Sequence, residues 1–142
     1  MNRSFVLIVA IFLASCNQNQ TANSIPSERK NPSSKAVASY LIPMGDPKLD
    51  RKFGVEVFET PFTFKYLLSM QYDGTEETDT LRLPELNIMP TVIVKPGPDK
   101  LSCIIGFLDE KKNFMEYKML IPKNNQLTLK VLKSYGMYTT PN

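Results

Sequence analysis

Between residues 62 and 72 the chain reads Phe62-Thr63-Phe64-Lys65-Tyr66-Leu67-Leu68-Ser69-Met70-Gln71-Tyr72. Its large apolar side chains fall at every second position and alternate mostly with threonine, lysine, serine and glutamine. Successive side chains of a β-strand point to opposite faces, whereas a helix would spread these aromatic groups around its circumference. The stretch therefore predicts a β-strand with one face turned toward a core.

Six further runs are short and several are rich in the β-branched and aromatic residues that pack well on a pleated sheet. These candidate strands are Phe53–Phe58, Thr80–Leu83, Leu86–Lys95, Lys100–Leu108, Phe114–Ile121 and Leu127–Leu132. Pro90 lacks a backbone donor, which predicts an edge position or a bulge for the run that contains it. Two apolar runs flank the charged loop at residues 109–113, so Leu101–Ile121 is expected to form a hairpin with Ile105 and Phe107 facing the core.

Seven short strands without a convincing amphipathic helix predict an all-β fold. The first choice is a two-sheet antiparallel β-sandwich of about seven strands, and an open β-barrel is the alternative. We expect this domain to cover residues 39–142, which is a suitable length for one compact unit.

The N-terminus has the features of a secretory leader. Arg3 precedes an unbroken apolar run from Phe5 to Leu13. As a helix this run would span roughly 14 Å, which is far short of the ~30 Å hydrocarbon core of a bilayer. Residues 1–15 therefore predict a cleavable signal peptide and not a permanent membrane span.

The end of that leader, Leu13-Ala14-Ser15-Cys16, resembles the lipobox of bacterial lipoproteins. In that family a peptidase cuts before the cysteine, whose thiol carries a diacylglycerol. The resemblance implies signal cleavage between Ser15 and Cys16, lipid attachment at Cys16 and effectively permanent membrane anchoring by two or three acyl chains. The alternatives are an ordinary signal peptide with an incidental cysteine and a short buried core segment.

The residues after the cysteine, Asn17-Gln18-Asn19-Gln20, contain no acid. In lipoproteins of didermic bacteria, an adjacent aspartate often marks retention in the inner membrane, and acidic clusters mark surface export in some lineages. The resemblance therefore implies the periplasmic face of the outer membrane, with a cell-surface position as the alternative.

Residues 16–38 are expected to be the lipidated cysteine and a flexible tether. From Asn17 to Ala38 the chain is mostly polar, has isolated apolar residues and shows no periodicity. Such a composition buries too little apolar surface to fold. The alternative is docking on the domain as an extra strand, against which Pro26 and Pro32 argue because proline interrupts a ladder.

Residues that carry chemistry are sparse. The chain contains no histidine, which removes the commonest general base and metal ligand, and we expect neither catalysis nor a cofactor. Cys103 lies in an apolar run and is expected to be an inert core thiol. The segment from Asp73 to Asp79 is expected to be a solvated hairpin loop, with a Ca²⁺ site as the alternative. Loss of Arg3 with the leader takes the 17 basic residues to 16 against 14 acidic ones, so no nucleic-acid partner is expected.

The sequence therefore predicts a non-catalytic lipoprotein that serves as a scaffold or accessory subunit of an envelope assembly and binds a periplasmic or outer-membrane protein. The stretch Ser102–Phe114 followed by Leu127-Thr128-Leu129-Lys130-Val131 resembles the late strands of small sandwich lipoproteins in type VI secretion membrane complexes. In that family the sandwich docks on a periplasmic partner and fixes the machine to the outer membrane.

Two alternative functions stay open. One is an inhibitor or immunity-type lipoprotein that binds an envelope enzyme or toxin. The other is a small-ligand or glycan-binding lipoprotein, although a small-molecule ligand is less expected than a protein partner.

The lipoprotein prediction is tested by Cys16→Ala, which should abolish lipid attachment because no other nucleophile near the cut accepts the diacylglycerol. Metabolic labelling with a fatty-acid analogue measures this, and Cys103→Ala is the matched control that should keep its label. Equal labelling of Cys16→Ala and the wild type would disprove lipid attachment at this residue.

Overall fold

A computed structural model describes residues 24–135. This part of the chain contains eight β-strands and one short 3-10 helix at Pro47–Leu49. The strands are β1 (Ala38–Pro43), β2 (Lys52–Glu59), β3 (Lys65–Tyr72), β4 (Thr75–Arg82), β5 (Val92–Pro96), β6 (Cys103–Leu108), β7 (Phe114–Lys123) and β8 (Gln126–Val131).

The strands form two four-stranded antiparallel sheets, and neighbours in each sheet are neighbours in the chain. The first sheet has the order β1-β2-β3-β4 and the second has the order β5-β6-β7-β8. The sheets do not close into a barrel, and β1 and β5 lie close together along one side. The predicted sandwich is confirmed, with eight strands where the sequence predicted about seven.

The alternation in β3 places its predicted face in the core. Tyr66, Leu68 and Met70 are buried, as are Val55 and Val57 on the neighbouring strand. Met70 lies opposite Val55 and Leu68 opposite Val57, and directly opposite residues of antiparallel strands share a face. The inner layer of the first sheet is therefore built from the period-two pattern of the sequence.

The predicted hairpin is also confirmed, since β6 and β7 pair on either side of the loop at residues 109–113. Cys103, Ile105 and Phe107 are buried together. The pairing register shifts between Ile105 and Gly106, and a Cβ at Gly106 would overlap the carbonyl oxygen of Met115.

Burial raises the pKa of the Cys103 thiol to about 12, so this thiol is protonated and unreactive at neutral pH.

The acidic segment Asp73–Asp79 is not a loop, which corrects the prediction. Asp73 and Gly74 both have positive φ and form a two-residue turn, and Tyr72 pairs directly with Thr75. Thr75 to Asp79 belong to β4, where every side chain before Leu81 is exposed. These polar residues remain in a strand because an exposed edge strand does not require an apolar face.

Two other predicted boundaries were wrong. The run Leu86–Lys95 contains a strand only from Val92 onward, because Pro84 and Pro90 cannot donate to a ladder. The resulting strand β5 lies at a sheet edge, which is one of the two positions that Pro90 predicted. Strand β1 was missed because its residues Ala38–Pro43 adjoin the polar N-terminal segment and include Leu41 between the inward-facing Tyr40 and Ile42.

The N-terminal segment, which we define as residues 24–37, differs from the expected flexible tether because it lies against the first sheet. Glu28 forms an isolated antiparallel bridge with Phe62. The amide of Val37 donates to the carbonyl oxygen of Val57 at 2.8 Å. Residues 17–23 of the predicted tether lie outside the described residues, as do the predicted signal peptide and lipobox.

Replacing Phe107 by alanine should lower the free energy of unfolding by about 3–5 kcal/mol, because the side chain is 2% exposed and its removal leaves a cavity. Chemical denaturation measures this loss. Phe62→Ala is the matched control: its ring is 52% exposed, so the loss should stay below about 1 kcal/mol. Equal losses for the two variants would contradict the assigned inner face of β6.

Candidate functional site

The residues predicted from sequence to carry function do not come together in one site. Ser15 and Cys16 lie outside the described residues. Cys103 is a core thiol, and the acidic residues of β4 are spread along an edge strand. Within residues 24–135 there is no group of three or more Asp, Glu, Cys or His side chains that could hold a metal ion. No helix of that part of the chain is long and apolar enough to cross a membrane.

The acidic side chains of β4 have a structural role at the sheet edge. Glu77 lies opposite Met70 and Asp79 opposite Leu68, so both carboxylates lie on the inner face of the sheet. They are nevertheless exposed, because the second sheet does not cover this part of β4. Inward-pointing charges on an edge strand discourage pairing with another sheet. We therefore assign these residues to edge protection.

Charge is divided unequally between the two sheets. Strands β5 to β8 contain four lysines and one acid, Glu116. Strands β1 to β4 contain three basic and five acidic residues. Counted over all side chains of the strands, one sheet is thus net basic and the other net acidic.

The outer face of the second sheet is apolar at its centre. Its partly exposed apolar side chains do not belong to the cluster packed between the sheets. They are Ile93, Ile104, Leu108, Phe114, Met119 and Ile121. We call this surface the basic sheet face and define it by these six residues with Lys95 and Lys130; Glu116, which lies opposite Gly106, is the one acid of these strands on the same face.

Lysines border the apolar centre of the basic sheet face. In one row across the four strands, Lys95 lies opposite Ile104, Ile104 opposite Met119 and Met119 opposite Lys130. The ammonium of Lys95 also lies 4.1 Å from the ring centroid of Phe114, within cation–π range. The result is an apolar strip with a positive charge at each side.

Runs of consecutive apolar residues in the sequence indicate the basic sheet face. Three strands of the second sheet have three consecutive apolar residues, Val92-Ile93-Val94, Cys103-Ile104-Ile105 and Met119-Leu120-Ile121. Strands with one solvated face alternate apolar and polar residues, whereas strands covered on both faces read as continuous apolar runs. Such runs in an antiparallel sheet indicate an outer face suited to a partner.

The N-terminal segment is held by Arg29, whose side chain is 5% exposed. Its Nη1 donates to the carbonyl oxygens of Thr60, at 2.8 Å, and Phe62, and its Nη2 donates to that of Thr63. The Arg29 amide donates to the carbonyl oxygen of Pro61 at 2.7 Å. One residue therefore satisfies the carbonyl groups of the whole turn that leads into β3.

The charge of Arg29 is balanced by two neighbours. Its Nε lies 3.5 Å from Oε1 of Glu59, and its guanidinium carbon lies 4.6 Å from the ring centroid of Tyr66. Burial raises the pKa of the Tyr66 phenol, although the positive charge of Arg29 partly opposes this effect. The phenol thus stays neutral and donates to the carbonyl oxygen of Pro90 at 3.4 Å.

A pocket of about 370 Å³ opens between the N-terminal segment and the end of the first sheet. Ile25, Phe62, Phe64 and Leu83 form its apolar walls. Its charged lining residues are Lys65, Arg82 and Glu85. The sequence does not predict this pocket, because its walls come from three separate parts of the chain.

No protein-family model, curated protein or solved structure matches this chain significantly.

Replacing Arg29 by methionine should lower the free energy of unfolding by about 2–4 kcal/mol, because it removes the side-chain donor from the carbonyl oxygens of Thr60 and Thr63 and the cation beside Glu59. Amide hydrogen exchange should rise over residues 26–37. Arg51→Met is the matched control, since Arg51 and Asp73 form an exposed ion pair that contributes about 0.5 kcal/mol or less. Unchanged exchange in Arg29→Met would show that the guanidinium does not hold the segment.

Proposed function

We propose that this chain is a lipid-anchored, non-catalytic accessory subunit of an envelope assembly, and that it binds a protein partner through the basic sheet face. The observation that carries this proposal is the row Lys95–Ile104–Met119–Lys130, in which a partly exposed apolar centre lies between two exposed cations. Protein interfaces have this anatomy, with an apolar core and a polar rim.

The chemistry of the basic sheet face defines the partner that fits it. Ile104 and Met119 favour an apolar side chain opposite the centre of the row, because burial of that contact removes apolar surface from water. Lys95 and Lys130 favour carboxylates at the two sides of the contact. The partner is therefore a protein that presents an apolar group flanked by acidic residues.

Anchoring at Cys16 would keep this face near a membrane. Cys16 precedes Pro26, whose carbonyl oxygen accepts from the Thr63 hydroxyl, by ten residues, which span at most about 35 Å when fully extended. Because the N-terminal segment is held against the first sheet from Pro26 onward, the tether is shorter than the sequence suggested. The proposed partner is accordingly a membrane protein or a periplasmic protein that reaches the membrane surface.

The resemblance of the late strands to type VI secretion lipoproteins makes such a membrane complex the assembly that we propose first. The alternative is an inhibitor or immunity-type lipoprotein, which would use the same face to bind one envelope enzyme or toxin. The two functions differ in the number of proteins held: an assembly yields several subunits and an inhibitor yields one enzyme.

Site-specific photocrosslinking in intact cells tests the proposal. A photoreactive amino acid at Met119 should crosslink to a protein, whereas the same amino acid at Thr78, on the outer face of the other sheet, should not. Charge reversal by Lys95→Glu and Lys130→Glu should reduce the Met119 crosslink at least tenfold while the unfolding midpoint changes little, since both lysines are exposed.

Three outcomes would contradict the proposal. Equal crosslinking from Met119 and Thr78 would show non-specific proximity. Crosslinks from Met119 to phospholipid alone would make the basic sheet face a membrane-contact surface. Undiminished crosslinking after charge reversal would remove the lysines from recognition.

A further inference from the structure

Two cations lie side by side at the mouth of the pocket. Lys65 on β3 pairs directly with Arg82 on β4, so the two side chains leave the same face of the sheet as nearest cross-strand neighbours. Like charges in this relation destabilise a sheet. Throughout residues 24–135, no carboxylate oxygen lies within 4.0 Å of a charged nitrogen of either residue. The fold therefore tolerates an unfavourable pair that an anion would neutralise.

The charges of the pocket indicate the charge of that anion. Glu85 lines the same pocket and offsets one of the two cations. The charged residues that line the pocket therefore have a net charge of one positive unit. A ligand with one negative charge neutralises it, whereas a ligand with two negative charges would leave the pocket net negative. A carboxylate satisfies this balance and also matches the planar, forked donors of the Arg82 guanidinium.

The walls of the pocket indicate what the carboxylate is attached to. The exposed ring of Phe62 lies beneath Lys65, whose ammonium is 5.4 Å from the ring centroid. Phe64 and Leu83 continue the apolar wall toward the core, and Ile25 of the N-terminal segment adds a further apolar side chain to the lining. A volume of about 370 Å³ is within the ordinary range for small-ligand sites and accommodates an aromatic or branched group beside the cations.

We infer that this pocket binds an organic carboxylate that carries an aromatic or apolar group. Lys65 and Arg82 bind the carboxylate, and Phe62, Phe64 and Leu83 contact the apolar group. A free small acid and the C-terminal carboxylate of a polypeptide have this chemistry in common. The inference does not rest on the proposed function, because the pocket is built on the first sheet and the basic sheet face on the second.

The N-terminal segment gives the pocket a built wall. Ile25 and Ser27 line the pocket because the carbonyl groups of Pro26 and Ser27 are bound by the turn before β3. The amide of Thr63 donates to the carbonyl oxygen of Ser27 at 3.0 Å. The guanidinium of Arg29 donates to the carbonyl oxygens of Phe62 and Thr63 in the turn before β3. The wall is therefore part of the folded domain and is present before a ligand arrives.

Isothermal titration of the full chain in detergent micelles tests the inference. N-acetyl-L-phenylalanine should bind with a dissociation constant of about 1 mM or lower, and its neutral amide should bind at least tenfold more weakly because it lacks the charge. Acetate should also bind at least tenfold more weakly because it lacks the apolar group. Amide shifts in an NMR titration should centre on residues 62–65 and 82–85.

Variants separate recognition from folding. Lys65→Gln and Arg82→Gln should each weaken binding of N-acetyl-L-phenylalanine about tenfold without lowering the unfolding midpoint, because each change relieves the repulsion between the two cations. Lys111→Gln removes an exposed lysine of the loop between β6 and β7 and is the matched control that should leave binding unchanged. Phe62→Ala should weaken binding by removing the apolar contact.

The two sources of the carboxylate are distinguished by comparing phenylacetate with the tripeptide alanyl-alanyl-phenylalanine. Tighter binding of phenylacetate indicates a free small acid, and tighter binding of the tripeptide indicates a polypeptide C-terminus. The inference is overturned if the amide binds as well as the acid, if both glutamine variants bind normally, or if no carboxylate probe binds at millimolar concentration.

Discussion

The structure depends on the burial of one face of each sheet against the other. Tyr66, Leu68 and Met70 lie on one side of β3, and Cys103, Ile105 and Phe107 lie on one side of β6. Because side chains alternate, a one-residue slip in pairing would turn an entire apolar set into water. This constraint sets the strand register, and the register in turn decides which residues meet on the outer faces.

The exposed surfaces of the sandwich differ from one another because the two sheets do not cover each other completely. Along β4 the second sheet leaves Glu77 and Asp79 uncovered, so charges are tolerated on the inner side and protect the edge. The outer face of β5 to β8 instead has apolar residues at its centre and lysines at its sides. A single packed layer thus supports one edge suited to remain unpaired and one face suited to a partner.

The N-terminal segment lies between the proposed lipid anchor and the pocket of the first sheet. Arg29 holds this segment against the turn before β3, so the chain that would lead to the lipid at Cys16 leaves the domain from a defined place. The same segment forms a wall of the pocket at Lys65 and Arg82. A ligand in that pocket would contact the segment that leads toward the proposed lipid anchor, while the basic sheet face stays available to the proposed protein partner.

The sequence alone determined the all-β sandwich, the β6–β7 hairpin and the inner residues of β3, because period-two alternation is a local property of the chain. It also carried the lipobox prediction, which rests on adjacent residues. Only the tertiary structure decided the position of the N-terminal segment, because Arg29 binds carbonyl groups 31 to 34 residues away and composition does not reveal such partners. The row from Lys95 to Lys130 and the pair of Lys65 with Arg82 likewise exist only after strand order and register bring distant residues together.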